Sequence, residues 1–335
     1  MSRILLVQPD PHGTLSGGFL YNAQMAENGA WRLVGVDPHE INTRVDEIDC
    51  DLLIADSLWL SERWVEPFLR AAGRFPVAFL MHSFPSMIAA AETEQPVATA
   101  PTAFERASLE AIGLAIVPGP HYAALLSNSK VDVRVAEPGI ADAWRVPPRR
   151  RIGACSMVSI GAVTPRKGFL DVLTAMRDRR TKHEWRWTAV GSLTAAPEYA
   201  QRVEAAARRF PGAGLVGQRP PNEARDVVTA ADVLVMPSYD ENHPLVLTEA
   251  IAASVPPVAY DVGGAANIVS HGVEGLLGPI GDTARLGELL LRLIDDEDQR
   301  FRLAEACWQR QKRLPTWAIA AAKIRAELES IIAHR

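Results

Sequence analysis

Residues 230–252 read AADVLVMPSYDENHPLVLTEAIA. The run DVLVMPS is apolar and β-branched, as a buried strand requires, and PLVLTEAIAAS has the composition of a helix, with Pro244 suited to its first turn. A strand that enters a helix through a short polar loop is the building block of a parallel sheet, because parallel neighbours need a crossover. The stretch also carries two carboxylates. Glu241 falls in the loop, and Glu249 falls about one and a half turns into the helix.

Working outward, the same alternation repeats. RILLVQ, WRLVGV, DLLIAD, VAFLMH, LAIVPG and VRVAEP are strand-like runs in the first half, and SMVSIG, WRWTAVG, AGLVG, DVLVMPS and PPVAY follow in the second. Two such sets in 335 residues predict an α/β protein of two doubly wound, Rossmann-like domains with parallel sheets. The proline-rich, basic stretch WRVPPRRRIG at 144–153 marks the break between them. The expected division is a first domain over 1–148, a second over 149–315, and a C-terminal helix over 316–335 that packs back on the first. Thr316 is the N-cap of that helix, and Trp317, Ala320, Ile324, Leu328 and Ile331 form its apolar face.

Composition narrows the function classes. Hydrophobic residues make up 48% of the chain, enough for packed cores and too many for a disordered chain. The three cysteines, Cys50, Cys155 and Cys307, show no paired spacing, which fits a reducing cytoplasm and no disulfide framework. The start MSRILLVQPDP has neither a basic leader nor a cleavage pattern, so a cytoplasmic location is expected. Net charge is −5, with 12 Lys+Arg against 18 Asp+Glu in residues 1–150, so nucleic acid is not expected as a partner.

Several loops combine the right residue types for an anionic sugar ligand. Ligands of open parallel sheets bind beyond the carboxyl ends of the strands, and a helix N-terminus there offers free N–H groups to an anion. Glu241 would supply a hydroxyl acceptor beside such a helix start. In SIGAVTPRKGFLDVLTAM, residues 159–176, a strand ends near Gly161 and a turn with Thr164, Pro165, Arg166 and Lys167 precedes a helix whose face carries Phe169, Val172, Leu173 and Met176. Its two cations make a diphosphate clamp. In YDVGGAANIV, Gly263 and Gly264 would serve a close backbone approach or a tight turn. Gly17 and Gly18 follow the first strand without the GxGxxG spacing of a dinucleotide loop. His82 ends a strand, and the other strand-end histidines, His121, His243 and His271, form no metal-ligand spacing, so no bound metal is expected.

Taken in order, IGAVTPRKG, VGS, LVGQ, AADVLVMPSYDENHPLVLTEAIA, PPVAYDVGG and HGVEGLLGP resemble glycosyltransferase family 4, the retaining sugar-nucleotide transferases of GT-B architecture. The resemblance is close over 156–280 and looser before it, through the glycine loop, His82 and EPGI. It implies two sheets facing across a cleft. It also implies that Glu241 and Glu249 are the family's E-x7-E glutamates, the first beside the donor sugar and leaving phosphate, the second on the ribose. Lys167 matches the diphosphate lysine. Asn242, His243, Pro244 and Leu245 would face the donor sugar and phosphate, Val216 and Gly217 the base, Gly17 and Gly18 the phosphates, and His82 the transferred sugar. Two departures stand out: Ala162 replaces the family's arginine, leaving Arg166 as the nearby cation, and Asn-His-Pro replaces Gly-Phe-Gly after the first glutamate.

The implied activity is metal-independent transfer from a nucleoside-diphosphate sugar, a UDP- or GDP-sugar, with retention and no bound cofactor. Members that act on membrane lipids would carry a basic first domain; this one is net acidic with a single lysine, Lys130, which points to a small soluble acceptor and no stable membrane association. The alternatives are a sugar-nucleotide-binding protein without turnover and a GT-B epimerase.

Overall fold

The computed structural model describes residues 2–13, 16–93 and 100–334. It contains two compact α/β units. The first holds a six-stranded, all-parallel sheet of β1 (Ile4–Pro9), β2 (Arg32–Val36), β3 (Leu52–Asp56), β4 (Val77–Leu80), β5 (Leu114–Val117) and β6 (Asp132–Val135), in the order β2-β1-β3-β4-β5-β6. The second holds β7 (Cys155–Ile160), β8 (Trp185–Val190), β9 (Ala213–Leu215), β10 (Val233–Met236), β11 (Pro257–Tyr260) and β12 (Leu276–Gly278), in the order β12-β11-β10-β7-β8-β9, again parallel. Eleven of these strands coincide with the runs read from sequence. The twelfth, inside HGVEGLLGP, is three residues long and too short to show a period.

The central strands β3, β4, β5, β10 and β11 are buried on both faces, which is why they read as near-continuous apolar runs, while the edge strands β2, β6 and β9 are partly exposed. In the second unit Met157, Trp187, Val233 and Val258 pack under the helix Phe169–Met176, whose buried residues include Phe169, Val172, Leu173 and Met176, as the helical spacing predicts. Val158, Leu234 and Ala259 pack on the opposite face with Leu247 and Ile251.

The crossing between the units falls between Gly139 and Ile140, and the chain returns to the first unit at Pro315. Residues from Ala90 to Thr93 also group with the second unit. The stretch at 144–153, read from its prolines as the break, is tied into the second unit instead: the Val146 N–H donates to Ala252 O, and Arg145 donates to the carbonyls of Gln311 and Leu314. The final helix, Trp317–Ala333, is capped by Thr316, whose hydroxyl accepts from the Ile319 N–H. Its Arg325 donates to Ser2 O and Gly29 O of the first unit. Gly139 is needed there, since a Cβ would collide with the backbone of Trp317.

Candidate functional site

In the second unit the polar residues gather at the carboxyl edge of the sheet. Strand β10 ends at Met236, and Pro237–Pro244 leads to the helix Leu245–Ala252; Pro244 caps that helix rather than standing in its first turn. Strand β7 ends at Ile160, and Pro165–Lys167 forms a short 3-10 turn before the helix Phe169–Met176. Because β7 and β10 are adjacent, the two loops meet. Lys167 Nζ donates directly to Glu241 Oε1. Arg166 donates from Nη1 to Asp240 O at 2.9 Å, and its own N–H donates to Glu92 Oε2 at 3.2 Å.

Close backbone packing holds these loops together. Gly168 adopts φ +64° and lies against Pro237; a Cβ there would collide with the Pro237 carbonyl. Gly263, at φ +53°, lies closer still to the carbonyl of Glu241, and Gly264 lies against that of Asn242. Both roles open to the glycine pair are seen: the Ala265 N–H donates to Val262 O at 2.9 Å, closing a tight turn around Gly263 and Gly264, and the same two residues approach another chain segment. Tyr239 and Tyr260 both donate to Asp171 Oδ2, at 2.8 and 2.7 Å, tying the loop and β11 to the helix after Lys167.

Burial sets the electrostatics. It opposes the charge of Glu241, but the cations Lys167 and Arg166 and hydrogen bonds from Lys167 and Ser238 outweigh it, holding the carboxyl below its ordinary range. Burial lowers the Lys167 ammonium, and Glu241 counters only part of that. Asp240 is pushed up to about 6, mainly by burial. Glu249, with no basic partner among the described residues, is pushed up to about 7 by burial, and His243 down to about 4 for the same reason. The hydroxyl of Thr164 and the Oδ2 of Asp240 are buried with no hydrogen-bond partner among the described residues, and so have capacity for a ligand.

The remaining candidates in this unit lie at neighbouring strand ends. The Gly161 N–H donates to Val190 O, and the Gly191 N–H to Gly217 O, so three glycines stand in a row at the ends of β7, β8 and β9. Val216, partly exposed, donates its N–H to Ala189 O. Among the described residues no group of three or more His, Cys, Asp or Glu side chains is arranged to hold a metal ion, and no helix is long and apolar enough to cross a membrane.

The other three candidates sit in the first unit. Gly17 and Gly18 open the helix Gly17–Glu27, capped by Ser16, whose hydroxyl accepts from the Phe19 N–H at 3.2 Å. Gly18 faces the ring of His82: a Cβ would lie 3.1 Å from its Cδ2. His82 Nε2 lies 2.8 Å from Asn22 Oδ1, and burial lowers its pKa against the opposing pull of Asp56. Sequence reading passed over Asn22, Asp56, Asp171, Asp240 and the two tyrosines. Only Asp56 and Asp240 left a signal, as acids at the carboxyl ends of apolar strands.

Comparison with solved structures defines the class of fold. The chain superposes over its whole length on all of the sucrose-phosphate synthase of Thermosynechococcus elongatus, with a TM-score of 0.82 at 19% identity. It superposes over 98% of its length on all of Anabaena HepE in complex with UDP-glucose, with a TM-score of 0.78 at 16% identity. This is the two-unit α/β fold of GT-B glycosyltransferases.

Sequence comparison then narrows the class. Residues 148–310 match the family model described as Glycosyl transferases group 1. The D-inositol 3-phosphate glycosyltransferase of Corynebacterium efficiens is 37% identical over 106 residues, 32% of this chain and 25% of that protein. Its counterpart in Pseudarthrobacter chlorophenolicus is 30% identical over 201 residues, 56% of this chain and 46% of that protein. The chain thus spans between a quarter and a half of the length of these two curated relatives.

Proposed function

We propose that this protein is a retaining glycosyltransferase that moves a sugar from a nucleoside-diphosphate sugar to a hydroxyl of a small soluble acceptor without a protein-bound metal. The observation that carries this reading is the buried Lys167–Glu241 pair, set where two adjacent strands end and beside the helix that bears Glu249. In the unliganded protein each charge neutralises the other. A donor diphosphate would take over Lys167 and free Glu241 to accept hydrogen bonds from the donor sugar. Glu249 would take the ribose hydroxyls, and Val216 and Gly217 would meet the base.

In the transfer step the anomeric C–O bond to the diphosphate breaks and the acceptor oxygen bonds to the same face. The acceptor proton passes to a phosphate oxygen of the leaving group, so the protein need not supply a base. Lys167, Arg166 and helix N-terminal N–H groups would stabilise the negative charge that develops on the leaving group. Family membership in the E-x7-E sense, a UDP- or GDP-sugar donor and a cytoplasmic setting belong to this reading. It draws support from a UDP-glucose-bound neighbour of the same fold and from the group 1 match.

The test is calorimetric titration of UDP-, GDP-, ADP- and dTDP-sugars into the protein and into Glu249→Ala. Selective binding of one nucleotide sugar, weakened by the substitution, is expected, and NMR of the product should show the anomeric configuration retained. Binding without turnover for any acceptor would favour a non-catalytic sugar-nucleotide binder. Conversion of donor without acceptor would favour an epimerase. No binding at all would overturn the proposal.

A further inference from the structure

Behind His82 lies a buried polar chain that the transferase reading does not use. Gln8 comes from β1, Asn22 from the helix Gly17–Glu27, Asp56 from the end of β3, and His82 from the residues just after β4. The first three are at most 4% exposed. Asn22 is the hub: its Nδ2 donates to Gln8 Oε1 at 2.9 Å and to Asp56 Oδ2 at 2.8 Å. Both partners are acceptors, so the orientation of the amide is determined, and Oδ1 is left to face His82 Nε2 at 2.8 Å. An acceptor at that distance requires a proton on Nε2.

The rest of the surroundings keep the ring in place. The His82 N–H donates to Ser57 Oγ, Tyr21 packs edge-on to the ring at 5.2 Å between centroids, and Gly18 lies against its Cδ2 side. Asp56 Oδ2 is 3.9 Å from Nε2, too far for a hydrogen bond, and spends its acceptor capacity on Asn22 while Oδ1 accepts from the Leu58 N–H. Asp56 and Tyr21 are the titratable groups against the ring, and the Tyr21 hydroxyl is turned away, donating to Ala136 O. Among the described residues Nδ1 has no hydrogen-bond partner.

We infer that Asn22 is a positioning residue: it holds His82 as the Nε2–H tautomer, so that Nδ1 is the ring's free acceptor and receives a hydrogen bond from a hydroxyl of the bound sugar substrate. The tautomer follows from geometry alone, while the hydroxyl contact rests on the transferase reading. The arrangement assigns His82 an accepting role, which a donating or protonated ring at a phosphate would not have.

Two-bond 1H–15N correlation spectra of the full chain labelled at histidine test the tautomer, with His82 identified by its loss in His82→Gln. Near neutral pH the Nε2–H pattern is expected in the parent, and a mixed pattern in Asn22→Leu. Asn22→Asp keeps the acceptor oxygen toward His82 but turns its other oxygen toward Gln8 Oε1 and Asp56 Oδ2, so that oxygen should carry a proton shared with Asp56, and the variant should retain the Nε2–H tautomer. It also serves as the second variant should Asn22→Leu fail to fold. An Nδ1–H or protonated His82 in the parent would overturn the inference. With donor binding established by calorimetry, the transfer rate of Asn22→Leu should fall by at least about tenfold, through loss of ring placement. An unchanged rate would overturn the positioning role. Absence of any donor binding would instead sink the transferase reading and leave the tautomer result standing.

Discussion

Replacing Glu249 by glutamine should make the protein more stable at neutral pH and above, by an amount that depends on pH. Burial raises the Glu249 carboxyl from its ordinary 4.5 to about 7. An acid raised in the folded state favours folding when protonated. Its ionisation therefore costs nothing below the unfolded value, a growing amount between the two values, and a constant amount above the folded one. That plateau is at most ~3 kcal/mol, and about 2 kcal/mol of it accrues between pH 5.5 and 8. Glutamine has the shape of the neutral acid and does not titrate. Urea denaturation of parent and Glu249→Gln should thus give similar stabilities near about pH 4 and a variant advantage approaching the plateau of roughly 3 kcal/mol near pH 8. A difference that does not change with pH would refute the argument that Glu249 is buried without a compensating charge.

Two further perturbations test the loops. Lys167→Met strands the Glu241 carboxylate, whose side chain is only 13% exposed, and should cost roughly 3 kcal/mol; Lys167→Met with Glu241→Leu should recover most of that stability without recovering donor affinity, and a single-variant cost near zero in urea melts would mean the pair is solvated. Gly263→Ala would drive its Cβ into the Glu241 carbonyl, whereas Gly272→Ala, at φ +80° with nothing within 4 Å, carries backbone strain alone. The first should lose more than about 1 kcal/mol beyond the second and weaken donor binding, and equal thermal and calorimetric losses would show that the close approach is unimportant.

Much of the architecture was legible because its signals are local. Strands buried on both faces are apolar runs whatever they pair with, and the spacing of Phe169, Val172, Leu173 and Met176 reports a helix face before any partner is known. The cap at Thr316 and the placing of Glu241 in a loop and Glu249 in a helix are local in the same way. The strand Leu276–Gly278 escaped notice because three residues carry no period.

What the tertiary structure alone decided are relations between residues distant in sequence. Lys167 meets Glu241 across 74 positions because β10 pairs with β7 and not with its sequence neighbour β9. Gly263 both turns the chain after β11 and packs against the Glu241 loop, and which loop it meets is decided only by the fold. Residues 144–153 look like a linker by composition, yet their backbone and arginines find partners in the second unit, and the crossing moves to 139–140. Asn22 reads as an ordinary helix residue and becomes the hub of a buried chain only when Gln8, Asp56 and His82 converge on it. Hydrophobic period and capping are properties of a few consecutive residues, so the sequence by itself determined the elements. Strand order brings remote polar groups within hydrogen-bond distance, so only the folded chain determined which of them act together.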